Sequence, residues 1–276
     1  MTTSFWIRFL ANPRVAVGAL WLALVIIAAL AAALIAPSDP FAIVGKPFAR
    51  PLGDFSLGTD SLGRSVWAGL VHGARTTLLI AIVATVGAIL FGGLIGALSG
   101  FYGGRIDDAL MRLTEFFQTI PSFIFAILLV AILSPSATSV VVAIATVSWP
   151  PIARIVRGEV MGLRSREFVP AAITLGESDP ALLFREILPN ALSPLIVTGS
   201  LLVATSILTE TALSFLGLGA PDLMSWGFMV GAGRSFLRDA WWLVAIPGVA
   251  ILLTVLAINL VGEGLNDALN PRLRAP

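Results

Sequence analysis

The chain has 276 residues, of which 57% are hydrophobic and only 12% are charged, about half the charged fraction of an average soluble domain. Such a chain has too little polar surface to cover a water-soluble globule, so the sequence predicts a protein embedded in lipid. The absence of cysteine excludes disulfides and thiol chemistry, and a single histidine excludes a metal site built from several histidines. A net charge of +1 does not provide the positive surface that nucleic-acid binding needs.

Long uncharged stretches predict the membrane spans, because about 20 apolar residues in a helix cross about 30 Å of hydrocarbon. The first run is longer than the apolar core of a cleavable signal peptide, so we expect it to stay in the protein. One run of 38 residues is long enough to cross twice, with Ser134-Pro135-Ser136 as the turn. The prediction is an all-α membrane bundle of six helices, with spans in Val17 to Ala36, Thr76 to Gly104, Phe116 to Ala153 (two), Ile187 to Thr209 and Ala240 to Gly262.

Positive charges in the connecting segments predict the orientation, because Lys and Arg are retained on the cytoplasmic side. With the N-terminus inside, eleven of the 17 Lys and Arg residues fall on inner segments and six on outer ones. The sequence therefore predicts that both termini are cytoplasmic.

Two predicted outer segments, residues 39–75 and 214–239, are longer than a connection needs. In the first, Val66, Trp67, Leu70 and Val71 share one face at helical spacing, which predicts a short helix on the outer membrane surface. We divide the chain into an N-terminal region, 1–75, with the first span and this outer segment, and a five-helix core, 76–276.

Small residues recur every four positions along the second span, at Gly92, Gly96, Gly100 and Gly104. A stripe of this kind lets two helix backbones approach closely inside a membrane. Packing within the bundle is the first interpretation, and contact with a partner subunit or sliding during gating is the alternative.

The largest inner segment, residues 154–189, carries ten charges and predicts a helix-turn-helix that projects into the cytoplasm. Ala171 and Ala172 lie in a short helix that ends at Gly176, and Ser178 or Asp179 caps a second helix. We expect this second helix to end near Leu188-Pro189. An exposed elbow of this kind is a suitable binding surface for another protein.

The Ala171-Ala172, Gly176 and Leu188-Pro189 pattern resembles the cytoplasmic loop of permease subunits of bacterial ABC importers. Three further stretches are similar to the peptide/nickel branch of that family, and the likeness runs from about residue 5 to 274. These stretches are Leu57-Gly58-Thr59-Asp60-Ser61-Leu62-Gly63-Arg64; Gly103-Gly104-Arg105-Ile106-Asp107 with Ile120-Pro121-Ser122; and Ser214-Phe215-Leu216-Gly217-Leu218-Gly219 with Ser225-Trp226-Gly227.

The resemblance implies the type I importer permease fold and the shorter, C-type permease of a pair. It implies a second permease subunit, two cytoplasmic ATPase subunits, an external substrate-binding protein and a place in the bacterial cytoplasmic membrane. Di- and oligopeptides are the expected substrates, with nickel chelates, opines and glutathione as alternatives. The loop residues assigned to ATPase coupling are Glu167, Phe168, Ala171, Ala172, Gly176, Asp179, Leu188 and Pro189.

The sequence itself argues against an ATP-hydrolysing site within this chain. A phosphate-binding loop needs Lys followed by Ser or Thr, but the only lysine is Lys46, followed by Pro47. We therefore expect no cofactor on this chain, and ATP and Mg²⁺ on partner subunits.

Two other classes of function remain as rivals. An intramembrane hydrolase would need a serine or acidic dyad, and no spacing here provides one. A secondary transporter driven by an ion gradient would need intramembrane acids, and only Glu210 qualifies. Since Glu210 lies near the outer end of its span, we expect it to reach water, and it is a candidate pore-lining residue.

Overall fold

The structure, a computed structural model, describes residues 12–269, and within them the chain is a bundle of helices, as predicted. The β-type pairings in this part are two isolated bridges, Ile43 with Arg64 and Thr59 with Ser65. The predicted cytoplasmic termini lie outside the described residues. The helices are α1 (Pro13–Leu30), α2 (Ala32–Ile35), α3 (Val66–Tyr102), α4 (Gly104–Thr119), α5 (Ser122–Leu133), α6 (Ala137–Arg164), α7 (Phe168–Thr174), α8 (Asp179–Ala181), α9 (Leu188–Phe215), α10 (Trp226–Gly233) and α11 (Trp242–Leu269).

Five of these helices, α1, α3, α6, α9 and α11, are each long and apolar enough to cross a membrane. The pair α4 and α5 passes the same test when taken together, but its axes are bent by 84°. The described part of the chain therefore contains five single-helix spans and one bent pair, the broken span, that is long and apolar enough for a sixth, which confirms the predicted membrane bundle.

The third crossing differs from the predicted hairpin arm. The turn at Ser134–Ser136 is present, but the helix before it, α5, has 12 residues and spans only about 18 Å. Pro121 lacks a backbone N–H, and Ile120 before it is extended, so the helix stops between Thr119 and Ser122. The apolar run concealed this break, and α4 supplies the rest of the crossing.

Helix α3 also differs from the prediction at its outer end. Its 37 residues span about 55 Å, far more than the bilayer requires. The short surface helix predicted at Val66 to Val71 is the first part of α3, so that prediction is wrong. Both valines are buried, Val66 in a cluster with Trp242 and Val71 in a cluster with Ala32. The division drawn after residue 75 falls inside α3.

Helices α3 and α6 pack along their length and form the centre of the bundle. Buried Ile80, Ala84, Val140 and Ile144 meet in one cluster near their outer halves. On the other side of α3, helices α1, α9 and α11 close a second core. The outer segment between α2 and α3 is held by Thr59, whose buried hydroxyl donates to the Lys46 carbonyl (2.6 Å).

Candidate functional site

The elbow comprises residues 167–189. It begins with the short helix α7, which terminates at Gly176. The Gly176 N–H donates to the Ile173 carbonyl (3.0 Å), and the Glu177 N–H donates to the Ala172 carbonyl (3.2 Å). This pair of bonds is the Schellman C-cap, which needs a residue in the left-handed region after the helix. Gly176 adopts φ +84°, where a side chain would be strained.

The second arm of the elbow does not end where the sequence predicted. It begins after Ser178, with Pro180 in its first turn, and passes through a π-helical segment, Leu182–Ile187, directly into α9. The Leu188 N–H donates to the Leu183 carbonyl, five residues back. Pro189 has no N–H to donate, and the wider π turn ahead of it keeps the chain helical. The elbow is therefore continuous with α9, the fourth of the five single-helix spans.

The inner face of the elbow is anchored in the bundle. Val169, Leu182, Leu183 and Ile187 are all 4% exposed or less and pack in one apolar cluster. The cluster also contains residues from the ends of α3, α6 and α9, namely Phe101, Ile152, Val156, Val160, Ala191 and Leu195. The elbow is therefore in direct contact with three spans.

The side of the elbow that faces away from the bundle is open, and it exposes apolar side chains among charged ones. Leu175 is 86% exposed and Ile173 57% exposed, and no atom lies within 4 Å of a Cβ built on Gly176. Sequence reasoning missed these two side chains and Phe184, because it looked for the family's small residues. Of the predicted coupling residues, Phe168, Ala172 and Leu188 are half-buried, and the exposed ones are Glu167, Ala171, Gly176, Asp179 and Pro189.

The glycine stripe faces α6. A Cβ on Gly92 would lie 2.5 Å from the Trp149 carbonyl oxygen, and one on Gly100 would lie 2.7 Å from that of Arg157. Gly96 meets the Ala153 carbonyl even more closely. These three glycines and the three facing residues form the α3–α6 seam. The structure thus places these three glycines inside the chain, in line with the first of the two interpretations. Gly104, the fourth glycine of the predicted stripe, starts α4 instead, and no atom lies within 4 Å of its built Cβ.

An ion pair that the sequence did not predict closes the elbow end of this seam. Arg157 donates Nε and one Nη bond to the Asp107 carboxylate, both at 2.6 Å, and the Ser99 hydroxyl also donates to Asp107. A two-bond guanidinium–carboxylate contact fixes both distance and orientation. The pair ties the start of α4 to the seam. Its members are 50 positions apart, and nothing in the sequence linked them.

Glu210 occupies a sealed position and not the water-accessible one that was predicted. It is 1% exposed, and its Oε1 accepts hydroxyl bonds from Ser214 and Ser225, both at 2.8 Å. Ser225 in turn caps α10 through the Phe228 N–H (3.0 Å). In this conformation Glu210 holds α10 against α9 and faces no open path.

In the described part of the chain, no three His, Asp or Glu side chains lie close enough together to hold a metal ion. The polar groups of the bundle instead join helices to one another. The fold is that of a polytopic membrane protein with one elbow fastened to the ends of its central spans.

The chain belongs to the family described as binding-protein-dependent transport system inner membrane component, whose model matches residues 92–275. It is 41% identical over 278 residues to the di/tripeptide transport system permease protein of Pseudomonas aeruginosa, with 98% of this chain and 92% of the relative covered. It is 38% identical over 273 residues to the oligopeptide transport system permease of Bacillus subtilis, with coverage of 97% and 88%. The family recognised in the sequence is therefore confirmed.

Two further proteins show how far the likeness extends. The glutathione transport system permease of Pectobacterium atrosepticum is 36% identical, with 98% of this chain and 91% of the relative covered. A solved structure of the MetNI methionine ABC transporter, in an inward-facing conformation, matches with a TM-score of 0.62 at 18% identity. That match covers 74% of this chain and 97% of the other, and it supports the permease fold.

Proposed function

We propose that this permease carries di- or oligopeptides into the bacterial cell, and that its elbow is the surface on which an ATPase subunit docks. The relatives named for di/tripeptides and oligopeptides, similar over nearly the whole chain, support the substrate class. The single observation that carries the docking proposal is the two-sided elbow, with one face packed on α3, α6 and α9 and the other open, with Leu175 and Ile173 exposed.

The complex we propose has four further subunits. A second permease completes the pathway, two cytoplasmic ATPases bind ATP and Mg²⁺, and an external binding protein delivers the peptide. This chain itself lacks a nucleotide-binding lysine loop, since its only lysine is Lys46. Both termini and the elbow then lie on the cytoplasmic side of the inner membrane, in keeping with the charge distribution.

Coupling follows from the contacts of the elbow. Closure of the ATPases pushes on α7 and the π segment, and the apolar cluster behind them passes the displacement to the ends of three spans. Rigid helices that rock around a fixed pathway then open it to each side in turn. In this mechanism the exposed side chains decide whether the ATPase binds.

Leu175→Asp tests the docking surface, because Leu175 is 86% exposed and its replacement leaves the bundle intact. An unpaired carboxylate in an apolar contact costs on the order of 2 kcal/mol, so we expect at least about tenfold weaker ATPase association. The measurement is the amount of ATPase that co-purifies, with peptide-stimulated ATP hydrolysis in proteoliposomes.

Ile43→Asp is the matched control, since Ile43 is also apolar and exposed (72%) but lies in the outer segment. It should leave ATPase association unchanged. Full association in the Leu175→Asp protein, or uphill peptide uptake by this chain without any nucleotide-hydrolysing partner, would contradict the proposal.

A further inference from the structure

The broken span has its break near the middle of the membrane. The rings of Phe117 and Trp149 lie 5.3 Å apart, and the Trp149 carbonyl faces Gly92. Gly92 is about 15 Å from the elbow end of α3, and Trp149 is about 18 Å from the opposite end of α6. The break at Ile120–Pro121, three residues beyond Phe117, therefore lies near mid-depth.

Helix α4 runs from the elbow to the level of the break, and one of its exposed faces carries a polar stripe. It starts beside the elbow, where Asp107 binds Arg157, and it ends beside Trp149, about 12 Å further along α6. Five of the six exposed polar side chains of α4 follow helical spacing, so they share one face, and the sixth, Gln118, lies beside it. The five are Arg105, Asp108, Arg112, Glu115 and Thr119, and exposed Ser122 follows directly after the break.

One ion pair on this face lies between the elbow and the break. Glu115 and Arg154 are 3.9 Å apart, and their side chains remain 64% and 51% exposed. Ala153, next to Arg154, packs on Gly96, about 9 Å inside the elbow end of α3. A single charge at the bilayer centre costs on the order of 2.5–3.5 kcal/mol, so charges that remain exposed on a membrane helix are expected to face water or another polar surface and not lipid tails.

We propose that this polar face of α4, from Arg112 to Ser122 together with Arg154, lines a water-filled cleft through which the transported solute passes. The inference rests on the proposed function for the identity of that solute, a zwitterionic peptide. Glu115 offers a carboxylate to its ammonium end, and Arg154 offers a guanidinium to its carboxylate end. The two groups are only loosely paired with each other, which leaves both free to exchange partners as the peptide moves.

The chain has no cysteine, so single-cysteine variants report on water access without a background. In the complete complex in proteoliposomes, Thr119→Cys should react with a water-soluble, membrane-impermeant maleimide supplied on both sides. The matched control is Leu90→Cys, on α3 at the same depth beside Phe91, whose ring lies 5.0 Å from that of Trp149. Leu90 is 68% exposed on an apolar face.

We expect the Thr119→Cys protein to be labelled at least about tenfold faster, because a thiol in hydrocarbon stays protonated and meets little reagent. Measurements are made without nucleotide and during ATP turnover, since the cleft opens in one state. Equal rates at the two positions in both states would overturn the inference, because the exposed polar face would then be covered by lipid or by a partner subunit.

A transport measurement separates the two proposals. Glu115→Gln should lower the uptake of a zwitterionic peptide, while the matched variant Glu263→Gln, at an exposed site near the end of α11, should not. ATPase association should be unchanged in both proteins. Labelling of the Thr119→Cys complex, combined with no peptide uptake by the wild-type complex, would support the cleft and refute peptide transport. Unchanged uptake in the Glu115→Gln protein would refute the role of the ion pair.

Discussion

The α3–α6 seam and the broken span α4–α5 solve the same problem, contact between helices in lipid, in opposite ways. The seam uses glycines, so the backbones touch and no side chain separates them. The broken span leaves polar side chains exposed and interrupts its own backbone hydrogen bonds at mid-depth. The seam is therefore the rigid part of the bundle, whereas the broken span keeps its polar side chains available to water and solute.

Gly96→Ala tests the close backbone contact of the seam and has the largest expected effect. The new methyl group would meet the Ala153 carbonyl at the closest point of the seam. Overpacking of this kind costs about 1–3 kcal/mol, and here it acts on two backbones that cannot move apart independently. We expect a clear fall in the thermal unfolding midpoint of the detergent-solubilised complex.

Gly93→Ala provides the control for this variant. Gly93 lies on the same helix three residues earlier, and no atom lies within 4 Å of its built Cβ. Its unfolding midpoint should match that of the wild type. If the two variants lose equal stability, close packing at the seam is not the cause, since alanine has the higher helix propensity at both positions.

Asp107→Asn tests the junction between the two regions. It removes the charge that Arg157 and Ser99 bind and weakens both hydrogen bonds to the guanidinium. Hydrogen bonds to charged groups contribute about 1.5–3 kcal/mol, and because the Arg157 side chain is 33% exposed we expect a loss near the lower end.

The neighbouring acid supplies the comparison. Asp108 is exposed on the polar face of α4, so Asp108→Asn should leave the unfolding midpoint nearly unchanged. Both variants are measured by thermal unfolding at low and high salt. A loss of stability that is the same for Asp107→Asn and Asp108→Asn would show that the ion pair contributes nothing beyond a general charge effect.

These contacts also show what a sequence can and cannot reveal. The glycine stripe and the Gly176 cap were predictable, because each depends on a spacing or a backbone conformation that local residue types specify. The Asp107–Arg157 pair was not, since its members are distant in sequence and either could have faced water. The break at Pro121 did carry a local signal, but the long apolar run around it favoured a continuous hairpin arm.

The outer end of α3 illustrates a different limit. Val66 and Val71 share an apolar face, and such a face predicts burial without saying which surface buries it. Lipid was the assumed partner, whereas the structure supplies Trp242, α2 and the outer segment. Glu210 is a similar case, because its two serine donors come from the same helix and from the loop ahead of α10 and could not be identified from its position alone.

Glu210→Gln carries the smallest expected effect and extends the comparison to a sealed polar site. The amide oxygen can still accept from Ser214 and Ser225, and the second carboxylate oxygen has no hydrogen-bond partner to lose. We therefore expect the unfolding midpoint to change by the equivalent of less than about 1 kcal/mol, with peptide uptake retained. Glu210→Ala, which leaves two buried hydroxyls without their acceptor, should be clearly less stable. If Glu210→Gln instead abolished uptake while the protein stayed folded, the charge itself would be required, and the carboxylate would have to face the pathway in another conformation.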